Sequence, residues 1–195
     1  MLIFYASKNR PGKRDAVLFR AEAEALARNL PGGMLANPVR AIDNSKSMGE
    51  RLSRVCEAIR EMPHGGEVAF LCHGRRRWLQ LVGGVGPALD KLSAACREGG
   101  VQKVCLFACS TGEEAGFATG LAIGIDRPAV EVYAHEGVGH ATRNPRIVAH
   151  GATWSARLQD RTRTSLASIR AAIAREPSLR FSFMRGLLWD LAATL

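Results

Sequence analysis

Three residues of this chain have types and neighbours suited to nucleophilic chemistry: His73, Gly74 and Cys109. His73 and Gly74 close the apolar run Glu67 to Gly74, EVAFLCHG. Cys109 lies near the end of a second run, Val101 to Ser110, VQKVCLFACS. A thiol becomes a strong nucleophile when a neighbouring base or cation stabilises its thiolate. Histidine suits that task because its pKa lies near neutrality. Attack on a carbonyl also needs donors for the developing oxyanion. The N–H of Gly74, unshielded by a side chain, and the N–H of Cys109 are the two donors at hand. Acyl transfer is therefore the chemistry these residues suit.

Such chemistry requires the two runs to end side by side. Both are short, apolar and without clean alternation, which predicts strands buried on both faces. In an open parallel sheet, ligands collect at the C-terminal edge of the strands. The interval between the runs holds Pro87 to Arg97, a helix with proline in its first turn, enough for one crossover. A further helix over Glu113 to Ile123, entered through Thr111 and Gly112, is predicted just after Cys109. Its N-terminus would then favour a thiolate.

The rest of the first 135 residues repeats the alternation. Leu2 to Ala6 reads as a central strand. A helix follows over about Ala16 to Leu30, capped by Asp15 and stopped by Pro31-Gly32-Gly33. Val39 to Ile42 is a short strand. Met48 to Met62 is a helix capped by Ser45 or Ser47, with Leu52, Val55, Cys56 and Ile59 on one face. Ala129 to Ala134 is a fifth strand and Ile147 to Ala149 a brief sixth. The pattern predicts an α/β fold, a three-layer α/β/α sandwich with a mainly parallel central sheet. One domain spans 1–155. Residues 156–195, with apolar positions such as Leu166, Ile169, Leu187 and Trp189, form a helical extension, packed on that domain or used to bind a partner protein.

The two strand-end blocks, VAFLCHG and VCLFACS, resemble those of the caspase-like cysteine peptidases, the group of caspases, legumain, gingipains, clostripain and separase. That group carries an apolar strand ending in His-Gly and a later one ending in a small residue and Cys. The resemblance implies a caspase-like fold and a cysteine endopeptidase. It makes His73 the catalytic histidine, Gly74 the oxyanion glycine and Cys109 the nucleophile. It spans about Met1 to Ala134 in strand order, but only the two blocks are close. Two departures stand out. The gap Gly124 to Pro128 is too short for the cleavable linker that matures caspases. The chain is also short, which leaves little length for specificity loops.

Composition sets the frame. The chain has 195 residues, 47% of them apolar, enough for a full-sized core. No apolar stretch reaches the length of a membrane span, and the first residues read as a strand rather than a leader. Five cysteines without a Cys-x-x-Cys pair suit buried thiols in a reducing, cytoplasmic setting. The formal charge of +9 favours acidic partners: nucleic acid, anionic lipid or acidic peptides. No zinc-finger, aromatic RNA-binding or basic-zipper pattern accompanies it.

Substrate-binding candidates cluster at the functional edge. Arg10 and Arg14 lie in the basic loop after the first strand. Arg75 and Arg76, with Arg77, follow Gly74, and His135 ends the fifth strand. Arginines there would take an acidic side chain on the substrate. Asp15, Asp126 or Glu131 would instead select a basic one. His135, Glu136, His140 and His150 match no compact metal spacing, so neither metal nor cofactor is expected. The partner expected is a protein or peptide substrate. The competing readings are a catalytically inactive relative and a basic nucleic-acid-binding α/β protein.

Overall fold

The computed structural model describes residues 1–7, 19, 20, 23, 24, 26–28, 30–113, 115–127, 130–135 and 147–150. The extension assigned to 156–195 lies outside the described residues.

Strand β1 is Leu2–Ala6, and the described residues between 19 and 28 are helical, α1. A short helix α2, Gly33–Ala36, stands where the sequence reads only a stop. There follow β2, Val39–Ile42; α3, Met48–Arg60; and β3, Glu67–Leu71. Three two-residue strands come next: β4, Gly74–Arg75; β5, Trp78–Leu79; and β6, Gly83–Gly84. Then come α4, Pro87–Glu98; β7, Lys103–Phe107; α5, Phe117–Ile125; β8, Glu131–His135; and β9, Ile147–His150. The main sheet has the order β2-β1-β3-β7-β8-β9. Its first five strands are parallel and β9 is antiparallel to β8. The molecule is thus an α/β protein built on a mainly parallel sheet.

The strands of the middle carry apolar side chains at every step because both faces are covered. Every residue of β7 is buried, and β3 is buried from Val68 to Leu71. Register runs straight across the sheet: Phe4 faces Phe70, which faces Leu106, which faces Ala134. The Phe4 and Phe70 rings stack with centroids 5.4 Å apart. Helices α3, α4 and α5 pack side by side in that order. Glycines on α5 allow the closeness: a Cβ on Gly124 would collide with Ser93 of α4.

Helix α3 starts at Ser47 through a capping box. The Glu50 N–H donates to Ser47 Oγ, and the Ser47 N–H donates to the Glu50 carboxylate. Each satisfies a donor that a helix start leaves orphaned. The helix buries Leu52, Val55, Cys56, Ala58 and Ile59 against the sheet, the face its spacing predicts. The cap expected from Asp15 lies outside the described residues.

At the starting edge of the sheet Glu67, Lys103 and Glu131 stand in one row. Lys103 Nζ lies 2.9 Å from Glu67 Oε1, and the pair is largely buried. Tyr133 donates its hydroxyl to Glu131 at 2.6 Å. Charges here sit at the edge opposite to the one where the apolar strands deliver His73 and Cys109.

Candidate functional site

The ladder between β3 and β7 positions the two key residues. Leu71 is the register partner of Phe107, and the Cys72 N–H still donates to the Phe107 carbonyl at 3.4 Å. His73 and Cys109 follow that last bond, each two residues past the end of its strand, at the C-terminal edge of two neighbouring strands. The chain leaves β1 towards β2 and leaves β3 towards β7, in opposite directions along the sheet. Between β1 and β3 the order therefore reverses, and the crevice of such a sheet opens at the C-terminal ends of those strands. His73 follows one of them.

Gly74 locks the two strand ends together. A Cβ on it would come within 2.7 Å of Ala108 Cβ, 2.8 Å of the Cys109 carbonyl oxygen and 2.8 Å of Thr111 Cγ2. Only glycine fits. Beyond it the chain turns back as a hairpin, with Gly74 opposite Leu79 and Arg75 opposite Trp78. The Gln80 N–H donates to the His73 carbonyl at 3.0 Å.

The segment after Cys109 departs from expectation. No helix starts at Glu113; α5 begins only at Phe117, after Gly116. The reason is local backbone geometry. Ser110 and Ala115 both have left-handed conformations, φ 57° and 53°, which break a helical path. Thr111, fully buried, donates its hydroxyl to the Ala108 carbonyl at 2.9 Å and closes a turn instead. Helix-terminus stabilisation of Cys109 therefore loses its basis, since the effect fades beyond the first turn. The same loop is stapled to the hairpin. The Phe117 N–H donates to the Arg76 carbonyl at 2.6 Å, and a Cβ on Gly116 would come within 2.8 Å of that oxygen.

His73 is half-buried, and its Nε2 is shielded from solvent. Its ring meets the Phe19 ring of α1 edge-on, centroids 5.2 Å apart at 80°. Its main chain is held on both sides by one residue. The Gln80 side-chain oxygen accepts from the His73 N–H at 3.0 Å, while the Gln80 N–H serves the His73 carbonyl. Arg51 of α3 in turn donates to the Gln80 carbonyl at 2.6 Å.

The five cysteines separate by environment. Cys56, Cys72, Cys96 and Cys105 are buried, and Cys109 is partly exposed. Burial pushes the Cys72 and Cys96 thiols up to about 12 and raises those of Cys105 and Cys56 as well. Those four stay protonated at neutral pH.

Arg75, Arg76 and Arg77 are exposed on the hairpin that Gly74 opens, and the Arg76 carbonyl accepts from Phe117 at the end of the loop that follows Cys109. Arg10 and Arg14 lie outside the described residues, as do Asp15, Glu136 and His140. His135 ends β8 at the C-terminal edge, two strands from β3. Two acids considered for a basic pocket are elsewhere. Glu131 begins β8 and is level with Lys103, the first residue of β7, at the far edge. Asp126 follows α5, which runs back to that same edge before β8 starts. His150 is level with Val132, also towards that edge.

Gln80, Arg51, Thr111 and Phe19 escape sequence reasoning. The only local signal is a glutamine inside the apolar run Leu79 to Val82, where an uncompensated polar group would be costly. No family model matches the chain, and no curated protein matches it significantly. Among the described residues no helix is long and apolar enough to cross a membrane.

Proposed function

We propose that this chain is a cysteine endopeptidase of the caspase-like kind, with His73 and Cys109 as its dyad. The observation that supports the reading is the pairing of β3 with β7, whose ends are followed at one sheet edge by His73 and by the most exposed thiol, with Gly74 packed against Ala108 and Cys109. The connections agree with the three-layer architecture. The connections from β1 to β2 and from β3 to β7 run in opposite directions along the sheet, and if both follow the right-handed rule their helices lie on opposite faces, which supports a layer on each side.

The chemistry follows from the groups. The Cys109 thiolate attacks the scissile carbonyl carbon, and the C–S bond forms as the carbonyl electrons move onto oxygen. The N–H groups of Gly74 and Cys109 hold that oxyanion. As the intermediate collapses, the C–N bond breaks and protonated His73 gives its proton to the departing amine. Water, deprotonated by His73, then releases the acid product and restores the thiol. The exposed Arg75 and Arg76 beside the loop favour an acidic residue at the substrate position preceding the cut. The reduced cysteines fit a cytoplasmic setting.

A positional peptide library digested with the wild-type chain, Cys109→Ala and His73→Ala tests this directly. Cleavage lost in both variants, with unchanged circular dichroism, is the expected result. Absence of cleavage by the wild-type chain together with an unreactive Cys109 refutes the reading. Salt-sensitive retention of RNA or DNA in that case would favour the basic binding protein.

A further inference from the structure

We infer that Gln80 is a positioning residue for His73, held in turn by Arg51; this rests on the peptidase reading. The need arises from the topology. The β3 ladder ends at Leu71, and the last bond to β7 comes from the Cys72 N–H. His73 therefore sits just beyond the sheet that should fix it. Beyond a sheet, a main chain normally exchanges its ladder bonds for water and gains freedom. Here Gln80 replaces the ladder. It is 5% exposed, and it engages both polar groups of the His73 backbone: its Oε1 accepts the N–H and its own N–H serves the carbonyl, each at 3.0 Å.

Two bonds from one residue define a plane as well as a point, so the clamp sets the direction in which the imidazole leaves the chain. The third contact explains why the clamp stays in place. Gln80 lies past a tight hairpin that carries three exposed arginines, with Arg76 and Arg77 at its tip. The Arg51 guanidinium, donating to the Gln80 carbonyl at 2.6 Å, anchors that hairpin to α3. Phe19 closes the ring's other boundary from α1. The base is thus oriented through its main chain, and the orientation is transmitted from the helix layer by way of Gln80.

Three variants test this: Gln80→Met, which keeps length and apolar volume but removes the acceptor; Gln80→Glu, which keeps it; and Arg51→Met. The readouts are hydrogen exchange of the His73 amide, the pH profile of Cys109 alkylation, and kcat and KM on a cleaved peptide. Gln80→Met is expected to exchange the His73 amide at least about tenfold faster and to lower kcat about tenfold with KM little changed, since misplaced catalytic groups cost turnover rather than binding. The alkylation profile should shift with it, and Gln80→Glu should restore kcat and amide protection to within about threefold. Wild-type exchange, kcat and profile in Gln80→Met would overturn the inference. If Gln80→Met does not fold, Arg51→Met decides: a smaller change in the same three readouts supports the clamp, and none overturns it. A wild-type chain that cuts nothing and has an inert Cys109 removes the peptidase and with it the catalytic purpose. Amide exchange would then still show separately whether Gln80 holds His73.

Discussion

Gly74 approaches Cys109 so closely that a single methyl group on it would stand 2.8 Å from the cysteine's carbonyl oxygen. Backbone cannot yield there as a flexible side chain would, and Ala108 Cβ and Thr111 Cγ2 press equally close. Gly74→Ala is therefore expected to cost about 1–3 kcal/mol of stability through overpacking. It should also separate the two strand ends and depress turnover well beyond what the stability loss explains. Denaturant titration alongside peptide cleavage measures both. Normal stability and normal turnover together would contradict the packing described.

Thiol reactivity should single out one cysteine. Cys109 is partly exposed, whereas desolvation raises the pKa of each of the other four. Iodoacetamide at neutral pH, followed by peptide mass mapping, should label Cys109 at least about tenfold faster than the buried thiols in the folded chain. His73→Ala should slow that labelling if the imidazole assists the thiolate. Equal labelling of Cys72 or Cys105 would mean the core opens readily.

Charge at the hairpin should govern the substrate. Two fluorogenic peptides identical but for Asp or Arg before the cut separate the choices. The Asp peptide is expected to be turned over faster, and Arg75→Glu with Arg76→Glu should reduce its kcat/KM about tenfold. The displacement of Glu131 and Asp126 to the opposite edge removes two of the acids that would have favoured Arg. Faster cleavage of the Arg peptide would place its acidic partner among residues of other segments.

Alkaline pH should weaken the fold. The Cys72 and Cys96 thiols are raised from 9.0 to about 12 by burial. Above the unfolded value the unfolded chain has released these protons while the folded chain retains them. Stability is thus at its plateau below that value and falls as pH climbs towards about 12, by about 1.4 kcal/mol per pH unit for each thiol. Urea midpoints at about pH 8 and about pH 10 should show the decline. Cys72→Ala with Cys96→Ala should flatten it, and an unchanged slope would assign the decline to other groups.

Much of the scaffold was legible because it rests on local patterns. Apolar runs without alternation marked β1, β3 and β7 as buried strands, and the spacing of Leu52, Val55, Cys56 and Ile59 marked the buried face of α3. Ser45 and Ser47 were both candidates for the cap of α3; the structure uses Ser47, with Glu50 completing the capping box. His73 and Cys109 were expected to close β3 and β7, and each lies two residues beyond the strand's end. The helix predicted at Glu113 was not found, because apolar periodicity and acidic first-turn residues do not reveal the left-handed backbone at Ser110 and Ala115. The lesson is that a turn stabilised by one buried hydroxyl, Thr111 on the Ala108 carbonyl, can override helix signals.

By itself the sequence determined the strands β1, β2, β3, β7 and β8, the helices α3 and α4, which faces are apolar, and that a histidine and a cysteine each closely follow a buried strand. Those are properties of consecutive residues, set by side-chain periodicity and backbone preference. Only the tertiary structure decided that β3 and β7 are neighbours in register, that Gly74 bears on Cys109, and that Gln80 and Arg51 hold the His73 backbone. Arg51 and Gln80 lie far apart in the chain and carry no motif. Their contact arises because the hairpin after His73 folds back over α3, and a hydrogen bond between distant residues exists only once the layers have packed.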